Sequence, residues 1–288
     1  MIRLGTRGSA LALAQAKLVS AALADEVELV TITTSGDRDD ARNDKSRWTS
    51  ALEAALLAGE IDIAVHSAKD VPGELADGTA IAAIPARAGT LDALCGFADF
   101  ASIVPGARVG TSSIRRTAQL RAKRDDIEIV ELRGNVDTRL RKLADGQVDA
   151  LVLAEAGLTR LGRESEIGCL LSEFVPAPGQ GALLVQARAG DERAREINDP
   201  SSERCVVAER ALASHLSATC NTPLGASAVP ASGTDVTLRA WVGLPDGSHW
   251  IEDELTGKAG EVANAMASRM TAAGARELLQ RAEQMAPA

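Results

Sequence analysis

The chain is poor in aromatic residues and carries an excess of acidic over basic residues. Its 288 residues include three tryptophans, three phenylalanines and no tyrosine, and its net charge is −9. Proteins that bind single-stranded nucleic acid need aromatic stacking platforms along a basic groove. We therefore expect no nucleic-acid partner.

Cysteine pairs and long apolar runs are also missing. The four cysteines, Cys95, Cys169, Cys205 and Cys220, form no CxxC pair and no metal-ligand spacing with a histidine, which argues against a disulfide framework and a zinc site. No apolar run approaches the roughly 20 residues that span a bilayer, and the N-terminus resembles neither a signal nor a transit peptide. We expect a cytoplasmic protein with no bound metal and no membrane partner.

One turn motif occurs twice. Residues Arg3–Ser9 and Arg108–Ser113 each read as a short apolar strand that breaks at a Gly-Thr pair and enters a helix capped by serine. Backbone N–H groups and hydroxyls at such a helix start point towards a bound anion. Since Arg7, Arg115 and Arg116 lie at these turns, the motif predicts a ligand rich in carboxylates.

The duplication extends well beyond the turns. In each copy a helix and a second strand follow, through about residues 24 and 32 in the first and 124 and 132 in the second. Asp62 and Asp149 then occupy equivalent places after a glycine that ends a helix. The offset falls from 105 residues (3 to 108) to 87 (62 to 149), so only connections differ in length. This pattern predicts an α/β fold with two homologous lobes like those of periplasmic binding proteins, each with a mostly parallel sheet covered by helices.

Three domains are predicted. The first comprises residues 1–86 with 180–198, because residues 179–188 read as a strand that crosses back to the first lobe, and the second comprises 90–176. From residue 200 to 288 the pattern changes to a helix (about 202–218), two antiparallel strands (234–242 and 248–255) and one closing helix. This third domain is therefore predicted to be α+β.

Several strings of residues match one family in order, over about residues 3–273: 6–12, 64–72, 109–116, 132–140 and 178–182. Together they resemble the porphobilinogen deaminase family, also called hydroxymethylbilane synthases. The resemblance implies a transferase of tetrapyrrole and haem biosynthesis that joins four porphobilinogen molecules head to tail into hydroxymethylbilane, with release of ammonia. It also implies a dipyrromethane cofactor, held through a thioether to one cysteine, that primes the chain.

The resemblance assigns binding roles to many cationic and polar side chains. Each porphobilinogen ring carries an acetate and a propionate, and arginine offers carboxylates a permanent charge and a planar fork. The implied arginines are Arg7, Arg115, Arg116, Arg133, Arg139 and Arg160. Further implied contacts come from Ser9, Lys45, Ser67, Lys69, Thr111, Ser112, Ser113 and Gln180. A lone surface arginine is more often part of a solvated salt bridge, but six within matching motifs favour binding.

Asp70 is the predicted catalytic residue. It follows the buried strand 61–65 and so lies at a strand's carboxyl end, where α/β sheets bind ligands. A carboxylate beside a pyrrole N–H stabilises the positive charge that develops as ammonia leaves, and it can transfer a proton. From the residues alone, an aspartate that caps the turn before Val71-Pro72 is nearly as good an interpretation. The family string 64–72 favours catalysis.

Cys220 is the predicted attachment site of the dipyrromethane cofactor, because residues 220–225 stand where the family has Cys-Gln-Val-Pro-Ile-Gly. A thiolate adds to an electrophilic carbon and remains bound as a thioether. We interpret the other three cysteines as small buried hydrophobic residues. His66 is assigned to packing or hydrogen bonding.

The chain departs from the family pattern at three places. Ala218-Thr219 replace the usual Gly-Gly before the attachment cysteine, although glycine permits backbone angles that these residues resist. The segment 37–48, with Lys45 aligned to the family's lysine, is a shortened lid that we predict to be a mobile loop. Asp137 stands where glycine is usual, and we expect it to pair with one of two nearby arginines, Arg133 or Arg139.

Two alternative functions stay open at this point. One is a two-lobed solute-binding protein that closes on an anionic ligand without reacting, since fold does not determine function. Such a protein would need neither Cys220 nor a third domain. The other is a deaminase relative with reduced turnover, suggested by the altered lid and loop. Whether the chain is a full deaminase or a relative with reduced turnover, the expected partner is porphobilinogen. Nothing in the sequence requires more than a monomer.

Overall fold

The computed structural model describes residues 1–34, 46–219 and 222–285, and for residues 46–48 the backbone alone. The strands are β1 (Ile2–Thr6), β2 (Val27–Thr31), β3 (Ile63–Ser67), β4 (Thr79–Ala83), β5 (Asp92–Cys95), β6 (Arg108–Gly110), β7 (Glu128–Val130), β8 (Ala150–Ala154), β9 (Cys169–Leu170), β10 (Leu183–Arg188), β11 (Leu224–Pro230), β12 (Asp235–Gly243) and β13 (Trp250–Lys258). The helices are α1 (Ala10–Ala22), α2 (Ser46–Leu57), α3 (Ile114–Lys123), α4 (Val136–Ala144), α5 (Glu155–Arg160), α6 (Pro200–His215), α7 (Ala259–Ala272) and α8 (Ala275–Met285). Within these ranges no helix has the length and apolar composition needed to cross a membrane.

The first lobe is built on a five-stranded sheet of order β2-β1-β3-β10-β4, in which only β10 runs antiparallel to its neighbours. Apolar residues cover both of its faces. Val65 on β3 packs with α1, and the adjacent Ala64 packs with α2. Successive residues of a strand point to opposite faces, which explains why these strands read as continuous apolar runs. The predicted helix-covered sheet is confirmed.

The second lobe repeats this arrangement. Its sheet has the order β7-β6-β8-β5-β9, and here β5 is the antiparallel strand. In chain order β5 follows the crossing from the first lobe, and β10 follows the crossing back. In each lobe, the antiparallel strand is therefore the first strand after the chain crosses from the other lobe. The local sequence pattern does not reveal this feature.

The duplication is visible in one pair of side chains. The backbone N–H of Arg3 donates to Asp62 Oδ2 at 2.9 Å, and the Arg3 guanidinium contacts Asp62 Oδ1 at 2.9 Å. In the second lobe Arg108 makes the same two contacts with Asp149, at 2.7 and 2.9 Å. The first pair joins β1 to the residue just before β3, and the second joins β6 to the residue just before β8. These strands hold equivalent places in the two sheets, so the predicted duplication of the lobes is confirmed.

The third sheet is antiparallel, with the order β11-β12-β13, and α6, α7 and α8 pack on one of its faces. Strands β12 and β13 were predicted from the sequence, but β11 was not, because its residues Leu224–Pro230 are mostly small and show no clear alternation. The predicted single closing helix was wrong. It is two helices separated at Gly274, whose positive φ of 97° ends α7.

Two segments link the lobes and lie against each other. The first spans residues 84–91, and the second runs from 171 to 182. The N–H of Ala88 donates to the carbonyl of Gly181 at 3.2 Å, and Gln180 Nε2 donates to the carbonyl of Thr90 at 2.7 Å. A Cβ at Gly181 would lie 2.6 Å from the carbonyl oxygen of Gly89, so this close approach requires glycine.

One buried carboxylate joins these linking segments to the third sheet. Glu209 on α6 is fully buried and accepts hydrogen bonds from both Arg87 Nη atoms at 2.7 and 3.0 Å. It also accepts from the backbone N–H of Gly179 at 2.7 Å and of Ala228 at 2.6 Å. Arg87 in turn donates from Nε to the carbonyl of Gln180 at 2.9 Å. Glu209 therefore holds residues from both linking segments and from β11.

We expect Glu209→Ala to lower the free energy of unfolding by about 3–5 kcal/mol, because it leaves the Arg87 guanidinium buried without its counter-charge. Chemical denaturation monitored by circular dichroism measures the change. The matched control is Glu173→Ala, which removes an exposed carboxylate from its 3.3 Å pair with Lys123 and should cost under about 1 kcal/mol. Equal losses in the two variants would contradict the central role of Glu209.

Candidate active site

The two lobes enclose a cleft, which is lined by residues of both. Its first wall begins at the turn between β1 and α1. Ser9 caps α1 by accepting a hydrogen bond from the N–H of Ala12 at 3.2 Å, as its position before the helix predicts. Arg7 lies half-buried in the same turn. From the inner face of α1, Gln15 donates to the hydroxyl of Ser67, at the end of β3, with a distance of 2.8 Å. The helix thus orients one of the predicted binding hydroxyls.

Asp70 lies in a short 3₁₀ turn, Ala68–Asp70, directly after β3. The N–H of Ala68 donates to the carbonyl of Ala182 at 3.0 Å, which ties the turn to the second linking segment. Val71 adopts an extended conformation, as expected for a residue before proline, and ends the turn. Asp70 is half-buried, and its charge acts on Arg116 of the opposite lobe. The carboxylate therefore lies at the strand end that faces the second lobe.

The second wall contains two buried guanidinium groups on one carboxylate. Asp92, at the start of β5, is fully buried and receives hydrogen bonds from Arg115 at 2.7 and 3.2 Å and from Arg116 at 2.8 and 2.9 Å. Gln180 Nε2 donates to the same carboxylate at 3.0 Å. Burial alone would raise the pKa of Asp92, but the charges of the two arginines outweigh it and hold the pKa below its usual range.

These contacts limit the number of hydrogen bonds that Arg115 and Arg116, both predicted to bind the ligand, can donate to it. Their side chains are 5% and 7% exposed, and much of their hydrogen-bonding capacity is already used inside the protein. Arg115 also donates to the carbonyl of Val175 at 2.8 Å, and Arg116 to that of Val152 at 2.8 Å. Arg115 Nε is buried and makes no hydrogen bond within the described part of the chain. Two positive charges share one negative charge, so this wall keeps an excess positive charge.

Lys69 adds a cation from the first lobe. It lines a pocket between the lobes together with Gln15, Ser67, Arg160 and Gly181. Desolvation in this position lowers the pKa of Lys69 to about 8, although the carboxylates of Asp70 and Asp92 act in the opposite direction. An anion bound in the pocket would favour the charged form of Lys69.

Hydroxyl groups and Arg139 surround the second turn. Thr111 Oγ1 accepts a hydrogen bond from the N–H of Ser113 at 3.1 Å, and Ser113 caps α3. Arg139 Nη2 donates to the hydroxyl of Ser112 at 3.1 Å. Burial lowers the pKa of Arg139 to about 10, which leaves it charged at neutral pH. Thr111, Ser112, Ser113 and Arg139 therefore lie together, as the family strings imply.

The remaining arginines lie in different surroundings. Arg160, at the end of α5, donates to the carbonyl of Gly181 at 2.7 Å and lines the pocket described above. Arg133 is half-exposed and donates to Glu131 at 2.7 Å. The predicted pairing of Asp137 was wrong, because the structure pairs Asp137 with Arg163 at 3.4 Å.

Some predicted residues lie outside the described residues. These are Cys220, Lys45 and the lid segment as far as residue 45. The last three lid residues, 46–48, were predicted as loop but form the start of α2. Among the other cysteines, Cys95 and Cys205 are buried as expected and Cys169 is half-buried. Burial raises the pKa of Cys95 to about 12, which makes its thiol a poor nucleophile at neutral pH.

Two contributors to the site were missed by the sequence analysis. Asp92 is a lone acidic residue that begins the apolar run 92–95, and a charged residue in such a run is rarely buried without partners. Gln15 stands on the otherwise apolar face of α1 formed by Ala12, Ala16 and Val19. In both cases a polar residue at a predicted core position was the available signal.

Comparison with known proteins places both parts of the chain in one family. Residues 2–196 match "Porphobilinogen deaminase, dipyromethane cofactor binding domain", and residues 203–277 match "Porphobilinogen deaminase, C-terminal domain". Porphobilinogen deaminase of Rubrobacter xylanophilus is 47% identical over 96% of this chain and 95% of its own length. The protein of that name from Deinococcus radiodurans is 42% identical over 97% of this chain and 98% of its own length.

Solved structures give a weaker likeness. The methionine-binding protein MetQ aligns with 68% of this chain and 86% of its own, at 17% identity and a TM-score of 0.42. The sequence matches are far stronger and cover nearly the whole chain. By these matches the chain belongs to the porphobilinogen deaminase family, the hydroxymethylbilane synthases of tetrapyrrole biosynthesis, and carries that family's dipyrromethane-cofactor-binding domain.

Proposed function

We propose that the chain polymerises porphobilinogen in the cleft between its lobes, with Asp70 as the catalytic residue and Cys220 as the site of cofactor attachment. The observation that supports this most directly is the charge arrangement around Asp70. One acid lies at a strand end of the first lobe, beside Lys69 and opposite the Arg115–Arg116–Asp92 cluster. Such a cleft attracts a substrate rich in carboxylates and places one carboxylate near its reacting centre.

The side chains of the cleft have the chemistry to hold a dipyrromethane. Its acetate and propionate groups need cationic and hydroxyl donors, and the cleft offers Lys69, Arg139, Arg160, Ser67 and Ser112. The buried Nε of Arg115, which has no acceptor among the described residues, is a further donor. When bound, the cofactor supplies the free pyrrole α-carbon from which the chain grows.

Asp70 acts on the incoming porphobilinogen. Departure of the aminomethyl nitrogen as ammonia leaves positive charge spread onto the pyrrole nitrogen of the same ring. A carboxylate that accepts the hydrogen bond of that pyrrole N–H stabilises the charge as it forms. The new carbon–carbon bond would join the exocyclic methylene carbon of that ring to a free pyrrole α-carbon, which would then have to lose its proton. Asp70 would be a candidate base for that proton.

The proposed domains divide these tasks. The first (residues 1–86 with 180–198) supplies Asp70 and Lys69, the second (90–176) supplies most of the arginines, and the third (200–288) carries Cys220. We further propose that the protein acts as a cytoplasmic monomer, without nucleic-acid or membrane partners, because its cleft is formed by one chain and its charge is net negative.

We expect the protein purified from a haem-producing host to carry an added mass equal to two linked pyrroles, located on the peptide that contains Cys220. Intact-mass spectrometry with peptide mapping measures it. Cys220→Ser should lack the addition, whereas Cys205→Ser, a change at a buried cysteine, should keep it. An unmodified wild-type chain would contradict the proposal and favour a solute-binding protein.

Asp70→Asn should lower kcat for porphobilinogen consumption by about 10²–10⁴-fold, because the amide neither stabilises the cation nor accepts the proton. Release of ammonia and formation of hydroxymethylbilane measure the rate. Asp77→Asn is the matched control, since Asp77 is exposed on the same lobe beyond the Asp70 turn and should leave kcat unchanged. A near-normal rate for Asp70→Asn would remove Asp70 from this role.

Lys69 makes substrate capture depend on pH. Without a bound anion the pKa of Lys69 is lowered to about 8, and cofactor carboxylates beside it raise that value. The ammonium therefore loses its proton as pH rises through about 8 or above, and kcat/KM should fall there. The pH profile of kcat/KM reports groups of the free enzyme. In Lys69→Gln we expect a lower value without this inflection, and an inflection that persists in the variant would assign it to another group.

A further inference from the structure

The loop that follows Asp70 is held by an arginine from the third domain. Arg210 on α6 donates from Nη1 to the carbonyl of Val71 at 3.2 Å. From Nη2 it donates to the carbonyls of Pro72 at 2.6 Å and Gly73 at 3.1 Å. A guanidinium with donors in a fixed planar fork is well suited to bind consecutive carbonyl groups. Arg210 therefore fixes the backbone immediately after the proposed catalytic carboxylate.

An apolar contact supports the same junction. Val206 lies one turn before Arg210 on α6 and packs with Ala68 and Val71, which flank Lys69 and Asp70. Residues four apart on a helix lie on one face, so Val206 and Arg210 approach the Asp70 turn together. Arg210 is half-buried, and desolvation lowers its pKa, as expected for a guanidinium enclosed in such a junction.

The other side of the Asp70 turn is held through the neighbouring residue of α6. Glu209 accepts the N–H of Gly179, and a Cβ at Gly179 would lie 2.9 Å from the backbone of Ala68 and Lys69. The linking segment thus lies directly against the start of the turn. Adjacent residues of one helix anchor the backbone on both sides of Asp70, Glu209 indirectly and Arg210 directly.

We propose that Arg210 is a positioning residue for Asp70, which it aligns by holding the carbonyl groups of residues 71–73. The inference rests on the proposed catalytic role of Asp70. Arg210 also lies on the helix that leads to the proposed cofactor attachment site. Helix α6 ends at His215, and the chain reaches Cys220 five residues later. The helix that leads to the proposed attachment site therefore also holds the backbone beside the proposed catalytic carboxylate.

The experiment compares Arg210→Met with Arg239→Met in the full-length holoenzyme. Methionine keeps an unbranched apolar stem and removes the donors. Arg239 on β12 is a matched control, because it also donates to carbonyls of another domain, Ser172 at 3.0 Å and Glu173 at 3.1 Å, far in sequence from Asp70. If both arginines made merely structural contacts, both variants would have a lower melting temperature and an unchanged kcat.

We expect Arg210→Met to lower kcat by about 10- to 100-fold, the effect of displacing a reacting group by roughly 1 Å. KM should change by less than about threefold, because the cationic side chains that bind the substrate are untouched. Hydrogen–deuterium exchange gives a readout independent of activity, and the peptide covering residues 68–75 should exchange faster than in wild type and Arg239→Met. Arg210→Lys, which retains a donor and the charge, should recover part of kcat and serves if Arg210→Met does not fold.

A double-mutant cycle with Asp70→Asn separates this inference from the proposed function. If Arg210 acts through Asp70, adding Arg210→Met to Asp70→Asn causes no further loss of kcat. Fully multiplicative effects, an unchanged kcat in Arg210→Met, or unchanged exchange over 68–75 would each overturn the positioning role while leaving Asp70 catalytic. A normal rate in Asp70→Asn would instead overturn the proposed function.

Discussion

The arrangement of the three sheets depends on the buried ion pair between Glu209 and Arg87. A carboxylate removed from water is tolerated only where its oxygens are fully hydrogen-bonded. Here the acceptor sites are filled by the guanidinium and by the backbone N–H groups of Gly179 and Ala228. These partners come from both linking segments and from the third sheet. The demand of one buried charge for hydrogen bonds therefore brings distant parts of the chain to one point.

The cleft is organised around a second buried carboxylate. Asp92 holds Arg115 and Arg116 in place before any ligand binds, and it neutralises only one of their two charges. Lys69 approaches from the other lobe with a lowered pKa. The ordering of these long side chains is completed during folding rather than at binding, which favours affinity for carboxylates. The same preorganisation favours electrostatic stabilisation of a charge that develops on the substrate.

Features that depend on neighbouring residues were predictable. The capped helix starts at Ser9 and Ser113 and the strand before Asp70 follow from local pattern. The duplication of the lobes follows from the repeated order of these local patterns. Features that depend on partners far along the chain were not. The ion pair of Asp137 is an example. The sequence favoured Arg133 or Arg139, which are nearer in the chain, but the fold places Asp137 beside Arg163.

By itself, the sequence determined the class of fold, the family and the chemistry of the cleft, because strand–turn–helix units, caps and arginine-rich strings are encoded within short stretches. Only the tertiary structure decided which charges are neutralised inside the protein and which face the cleft. Asp92 lies 23 residues before Arg115, and Arg210 lies 139 residues after Val71. Contacts at such separations arise from the packing of whole sheets and helices, and no local pattern in the chain records them.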